Sequence, residues 1–592
     1  MEVSMVTISQ PMMTMLMQSN MTGDCRIVMR MIGTKQMNRI KERSELKIMM
    51  NKNLFFTACL FASGLLVGCS SESTGSENGG SKKETEHLAV FSTEDAVVSA
   101  KPTITRTTGV YNGHAIDFSW TPSDKLWIHD GMSLIKNTSD NITGVQASAK
   151  FYYDRTFNKL SYPVRFMGTD ASAGDKVTIA ANQTQAQPNN AAHIGKDGDC
   201  GTATATPVGG IYKFRLMHKA AYVTFTPWYG KEELASTVSV TAIKLTIDAA
   251  SNAGKSIAGT FNFDDSGLGT LHSNGTNSIT LELTNGFPVP KAADYTKNAA
   301  TMVVCPGTYN KVTIAYTLKD TKTGVTGIVS QTFPTMTFNA GKNRPIGKNE
   351  LGMNNYKPNY YQWDAGKPYW DGYTGTIPAV NGEGGNYKPA SGSDRYMNAN
   401  PNSFEGNNIC KFAPNVNEAT LYSFFGDSHW DGNMVWTMNG HLYQGGMWFL
   451  KLNKISSGGH SGFTHPVTNI HAWQNNYIPS NSNHYWNDWS ETNVGTVNAD
   501  AWTTDVKHTG EPANVDNYFF LPAMGYLKEN GTLVLNDQDK YGYYGSYWTS
   551  NGVVVGIVQG LSLHFNDKKV GVNVDDRLWA YPIFDAVTYQ LK

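Results

Sequence analysis

Apolar and polar residues alternate with a period of two through much of residues 100 to 351. Ile243-Leu245-Ile247, Ile279-Leu281-Leu283 and Val312-Ile314-Tyr316-Leu318 are the plainest runs. Such alternation predicts strands with one face on a core and one toward solvent. Turn-forming clusters separate the runs, among them Ser251-Asn252-Ala253-Gly254 and Asp264-Asp265-Ser266-Gly267. No stretch of similar length carries the stripe of an amphipathic helix. Between Phe214-Leu216 and Ala221-Val223-Phe225 the apolar parity switches, which predicts a bulge near His218 to Ala220. Many strands at short spacing predict a mainly β fold of packed sandwiches, and the length suits two.

Past residue 352 the pattern changes. Eleven of the fourteen tryptophans and eight of the fourteen histidines lie there. Residues 352–400 are dense in Gly, Pro, Asn and Tyr, which reads as a linker with aromatic anchors at Trp363 and Trp370. Residues 401–592 form a further domain with little regular period.

A different pattern stands near the start. Lys52 precedes thirteen apolar-leaning residues, Leu54 to Leu66. That core is too short to cross a bilayer, which takes roughly 20 apolar residues, and it suits a secretory signal over 50–68. Leu66-Val67-Gly68-Cys69 resembles a bacterial lipobox. The resemblance implies that Cys69 becomes an acylated N-terminus. Each acyl chain adds roughly 0.8 kcal/mol per buried CH₂, so several chains anchor the protein without a membrane helix. Residues 69–99 begin with a Ser-, Gly-, Glu- and Lys-rich stretch that reads as a disordered tether. Glu72 and Glu77 behind the lipid fit transport to the outer face of an outer membrane. Residues 1–49 hold eleven of the 23 methionines and no sustained period, which suggests a start assigned too early, with Met49 or Met50 as the true one.

Composition narrows the function classes. Charged residues are 16% of the chain and the net charge is −1, which argues against a nucleic-acid partner. Beyond Cys69 only Cys200, Cys305 and Cys410 remain, so at most one internal disulfide is available, and whether Cys200 pairs with Cys305 is open. Trp486-Asn487-Asp488 matches a calcium-ligating triplet of lectins but lacks the earlier partner motif. Asp537-Gln538-Asp539 opens like an EF-hand loop yet has Trp548 where a bidentate Glu is needed. His460, His465 and His471 crowd one segment without a zinc motif. No metal, no cofactor and no catalytic residue is therefore assigned. Aromatics in Gly- and Asn-rich loops, Trp430, Trp486 and Trp489, are the candidate ligand-binding residues, whereas Trp448 and Trp548 read as core.

Two family resemblances add to this. Thr105-Arg106-Thr107, Phe118-x-Trp120, the run Asp124 to Ile128 and FRLMHKAAYVTFTP from Phe214 resemble fimbrillin-type pilins. SIAGTFNFDDSG from Ser256, VVCPGTYNKVTIAY from Val303 and FNAGKNRPI from Phe338 do so as well. The resemblance implies two tandem transthyretin-like β-sandwiches, 100–232 and 233–351. It also implies proteolytic maturation after Arg106, with subunits joining by strand exchange. The runs Phe519 to Tyr526, Gly545 to Ser550 and Leu561 to Phe565, with Arg577, resemble the major paralogous domain of Bacteroidetes-type surface lipoproteins. That resemblance implies an irregular α+β, C-type-lectin-like fold over 401–592. Formylglycine-generating chemistry on such a fold needs paired cysteines, and Cys410 stands alone after residue 352, so no enzyme is expected. The expected role is an outer-membrane-anchored surface lipoprotein, a tip or accessory pilus subunit that adheres to a host or microbial glycan or protein. The alternative is a monomeric anchored glycan-binding lipoprotein.

Overall fold

The computed structural model describes residues 6–8, 13–19, 25–29, 88–93, 108–169, 171–347, 349–457, 460–464, 503–537, 542–553 and 558–584. Cys69, Arg106, Trp486 and Trp489 lie outside the described residues, as do His465 and His471. Two compact units are present, 1–84 and 85–592. In the first, Val6–Ile8, Met13–Ser19 and Cys25–Met29 pair antiparallel in chain order.

The second unit is mainly β. Its first sheet runs in the order Leu134–Lys136, Trp127–His129, Tyr162–Phe166, Gly201–Val208, Ile211–Phe214, Ala89–Thr93, Lys150–Tyr153 and Ser139–Asp140. Trp120, Phe151, Val164, Phe166 and Phe214 fill its core, each at or near zero exposure.

The strongest alternations fall where their period requires. Val238–Ile247 is central in a five-stranded sheet, between Ser278–Pro288 and Gly307–Asp320. Ile243 lies opposite Leu281 on one side and Tyr316 on the other, and Leu245 lies opposite Ile279 and Ile314. All of these face one core. A one-residue slip would turn every one of them to the other face, so the pattern fixes the register.

Hydrogen bonding runs across the boundary expected at residue 232. Lys176–Ile179 pairs with Ala258–Asp264, and Asn182–Gln185 runs parallel to Ser278–Pro288. Ala221–Phe225 pairs with Ala300–Val304 and Asn343–Pro345. The division into 100–232 and 233–351 is corrected accordingly, since strands before 232 complete the second core. The parity switch after Phe214 also has another cause than a bulge. Ile211–Phe214 belongs to the first sheet, and the chain crosses to a different one at Ala221–Phe225, all five residues of which are buried.

Residues 352–400, read above as a linker, are part of the C-terminal region. Tyr361–Gln362 pairs with Ala580–Tyr581, and Trp363, Tyr360 and Tyr369 are fully buried. Gly and Asn supply the irregular backbone, and the aromatics between them supply the core. The one α-helix of ten residues among those described, Val416–Phe425, starts at a capping box. The Asn415 side chain accepts from Glu418 N at 2.9 Å, and Glu418 accepts from Asn415 N at 3.0 Å. Among the described residues no helix is long and apolar enough to cross a membrane.

The C-terminal region and the second sandwich share a core, because Val435 and Leu442 pack within it. Tyr229 Oη and Thr437 Oγ1 are 2.7 Å apart, and Thr323 Oγ1 donates to Leu442 O at 2.9 Å. At the same joint the buried Asp320 Oδ2 lies 2.9 Å from His441 Nδ1 and accepts from Leu442 N at 3.1 Å. Burial pushes this carboxyl's pKa up. The His441 hydrogen bond and the Lys322 and Leu442 N–H groups outweigh that and hold it well below the usual carboxylate range. The lowered folded pKa means its stabilisation is present above the unfolded value of about 3.9 and is lost as pH falls further. Asp320→Asn is expected to cost about 3 kcal/mol at neutral pH and to flatten stability against pH below about 4. Urea melts of both proteins at pH 3 and pH 7 measure this, and equal loss on acidification in the two would refute it.

Candidate functional site

Two places have the geometry of a candidate site. The first is the strand Ala89–Thr93, which lies inside the span expected to be a tether, 69–99, and corrects its extent. It runs parallel to Ile211–Phe214 and antiparallel to Lys150–Tyr153. Phe91 is fully buried and stacks on Tyr212 at 4.7 Å between ring centroids. Phe157 and Tyr153 meet it edge-on at 5.0 and 5.1 Å. A strand with a buried aromatic is seated by packing as well as by its backbone ladder. The Ser-, Gly- and Glu-rich stretch before it had masked the apolar Ala89-Val90-Phe91.

The second lies on a small sheet of the C-terminal region. His429–Trp430 pairs parallel with His508–Thr509, and His429 is the register partner of His508. Side chains paired in this way leave the same face of the sheet, and the two imidazoles sit 4.5 Å apart between centroids. Asp427, in a left-handed conformation with φ 47°, turns its carboxylate toward both. Its Oδ1 lies 3.2 Å from His508 Nε2 and its Oδ2 3.5 Å from His429 Nε2. Tyr518 Oη donates to Oδ2 at 2.7 Å. Burial raises the pKa of Asp427, but the Tyr518 hydrogen bond and the charges of His508, His429 and Lys507 outweigh it, and the carboxyl lies below its ordinary value. Burial and that same carboxylate push the Tyr518 phenol up to about 12. No motif signals this cluster, because its members meet through the pairing of two two-residue strands.

Trp430 follows His429 directly. It is half-buried and packs partly on the core, with the Phe565 ring 6.5 Å away, so only part of its face is open to a ligand. Trp448 and Trp548 are core residues, as expected. An open cleft of about 370 Å³ lies at the joint with the second sandwich, where Lys322, Asn381, Tyr443, Gln444, Asn536 and Tyr543 line it.

A Ser–His–Asp set also exists. Ser546 Oγ is 3.1 Å from His564 Nδ1, and His564 Nε2 is 2.7 Å from Asp575 Oδ2. Ser546 is fully buried within a sheet and Ser562 also donates to Asp575, so the set binds three neighbouring strands together. A nucleophile must reach a substrate carbonyl, and this hydroxyl does not.

Arg577 is a structural hub. It is fully buried and sits 3.8 Å over the Trp363 ring. Its Nε donates to Gln559 O at 2.8 Å, its Nη1 to Asn398 O and Asn400 O at 3.0 and 2.9 Å, and its Nη2 to Ser403 O at 2.8 Å. Cys200, Cys305 and Cys410 are all free thiols. Burial pushes the Cys410 thiol well up, and its sulfur accepts from Asp364 N at 3.1 Å. That is a structural role rather than a reactive one.

No protein-family model and no curated protein matches the chain. Several solved structures overlap part of it loosely. One from Bacteroides ovatus, described as a putative cell adhesion protein, is 14% identical and overlaps 44% of this chain and 91% of its own, at a TM-score of 0.28. Others so described come from Bacteroides thetaiotaomicron and Bacteroides uniformis. The former is 13% identical over 45% of this chain and 93% of its own, at a TM-score of 0.24. The latter is 13% identical over 42% and 85%, at 0.25. Overlap at this level does not establish a shared topology.

Proposed function

We propose that this is a cell-surface adhesion protein of fimbrillin type. It is exported as a lipoprotein acylated on Cys69, is released from that anchor by cleavage after Arg106 and assembled into a fimbrium as a tip or accessory subunit, and carries a lectin-like C-terminal region for contact. The observation that supports it is the placement of Ala89–Thr93. This strand is seated inside a sheet and precedes Arg106 in the chain. Cleavage after Arg106 would sever its covalent link to the rest of the sheet. Its departure would leave two facing unpaired strand edges, Ile211–Phe214 and Lys150–Tyr153, and an aromatic pocket where Phe91 sat. A groove of that form is filled by an extended segment of another subunit, with main-chain bonds for affinity and a side-chain pocket for register. The C-terminal region then acts by binding rather than catalysis.

The open cleft near Tyr443 and Tyr543 favours a second reading, an anchored monomer that captures glycan, since tyrosine faces and amide groups suit sugar rings. Intact mass and N-terminal sequencing of the protein from native cells separate the two. A lipid-free chain starting at Thr107 is the expected result. A chain that starts only at acylated Cys69 would overturn polymerisation and leave the anchored binder.

A further inference from the structure

We propose that Asp427, His429 and His508 form a binding site for a divalent transition cation of borderline softness, zinc foremost, with at least one coordination position left open. Two imidazoles and one carboxylate are a donor set that zinc accepts and that calcium, which takes oxygen ligands, does not. The three donor atoms lie within 4.8 Å of one another. Asp427 Oδ1 lies 3.2 Å from His508 Nε2, close to the edge of a tetrahedron with bonds of about 2.0–2.1 Å, roughly 3.3 Å, and the other oxygen, Oδ2, lies 3.5 Å from His429 Nε2.

The surroundings hold the donors in place. Parallel register sets His429 beside His508, and Gly510 N donates to Trp430 O at 2.8 Å to extend that pairing. Tyr518 holds Asp427 Oδ2 and turns Oδ1 toward His508, the arrangement in which an outer partner orients a ligating carboxylate. His429 is largely buried, with 14% of its side chain exposed, whereas His508 is 53% exposed, so the open side of the site faces solvent. Water, or a carboxylate or imidazole of a bound partner, would complete the ion's coordination there. The site does not depend on the adhesion reading.

Metal-free full-length chain titrated with zinc by calorimetry, and with cobalt for its ligand-field absorption, tests this. One zinc per chain and tetrahedral-type cobalt bands are expected. His508→Ala, at a half-exposed position, should keep the metal-free melting temperature while zinc affinity falls at least tenfold, and Tyr518→Phe should lose about tenfold. His471→Ala should bind as the parent does. No heat at millimolar zinc would overturn the site, leaving a carboxylate held by two imidazoles alone. Undiminished binding by His508→Ala would overturn it by placing the ion elsewhere. A calcium response equal to that of zinc would overturn the assignment of the metal class.

Discussion

Phe91→Ala is expected to cost about 3–5 kcal/mol in the first sheet, the range for emptying a buried phenylalanine site. The ring lies among Tyr212, Phe157, Tyr153 and Tyr162, so its removal opens a cavity lined by four aromatic rings. Thr93 N donates to Ala149 O at 3.1 Å and Ala149 N to Thr93 Oγ1 at 3.0 Å, so the end of the strand is tied down independently. The loss should therefore appear as local opening before global unfolding. Amide exchange of the full chain reads this directly: protection at Ala89–Thr93 and at Ile211–Phe214 should fall together, while Val238–Ile247 keeps its rate. A change below about 1 kcal/mol, or equal loss in both sheets, would mean that the strand is not seated by Phe91.

Arg577→Met should be comparably severe, about 3–5 kcal/mol. Methionine fills the space but leaves four carbonyls, Gln559, Asn398, Asn400 and Ser403, without their donor. Burial lowers the pKa of the guanidinium to about 10, although Asp364 and Cys410 act in the opposite sense. It still carries its charge at neutral pH. Arg577→Lys should cost less, about 2 kcal/mol, because an ammonium has three donors and no plane to lay on Trp363. Guanidinium melts that rank the parent above Lys above Met would agree. Met equal to the parent would show that the loop carbonyls find water instead.

The period-two runs were legible because burial on one face leaves a written trace, and Ile243, Leu281 and Ile314 stand where that trace puts them. Which strand pairs with which left no such trace. Lys176–Ile179 and Asn182–Gln185 carry ordinary strand patterns, and nothing in them names partners that lie beyond residue 250. Trp363 and Trp370 were visible as anchors, but their Gly- and Asn-rich setting resembles a linker because irregular backbone needs the same residues wherever it is buried. Arg577 was flagged only by family resemblance, since its role rests on carbonyls from the distant segment 398–403 and from Gln559. His429 and His508 meet by chain pairing alone.

The shared core at Val435 and Leu442 bears on how this protein can be taken apart. A fragment cut near residue 400 would carry those two side chains away from their packing and leave His441 without its carboxylate partner and Thr437 without Tyr229. It would also lack Tyr360, Trp363 and Tyr369, which fill its own interior. The C-terminal half is thus not a portable module that could be shuffled between chains or grafted elsewhere. Its packing is completed by the sandwich on which it rests, so a search for its ligand calls for the whole chain.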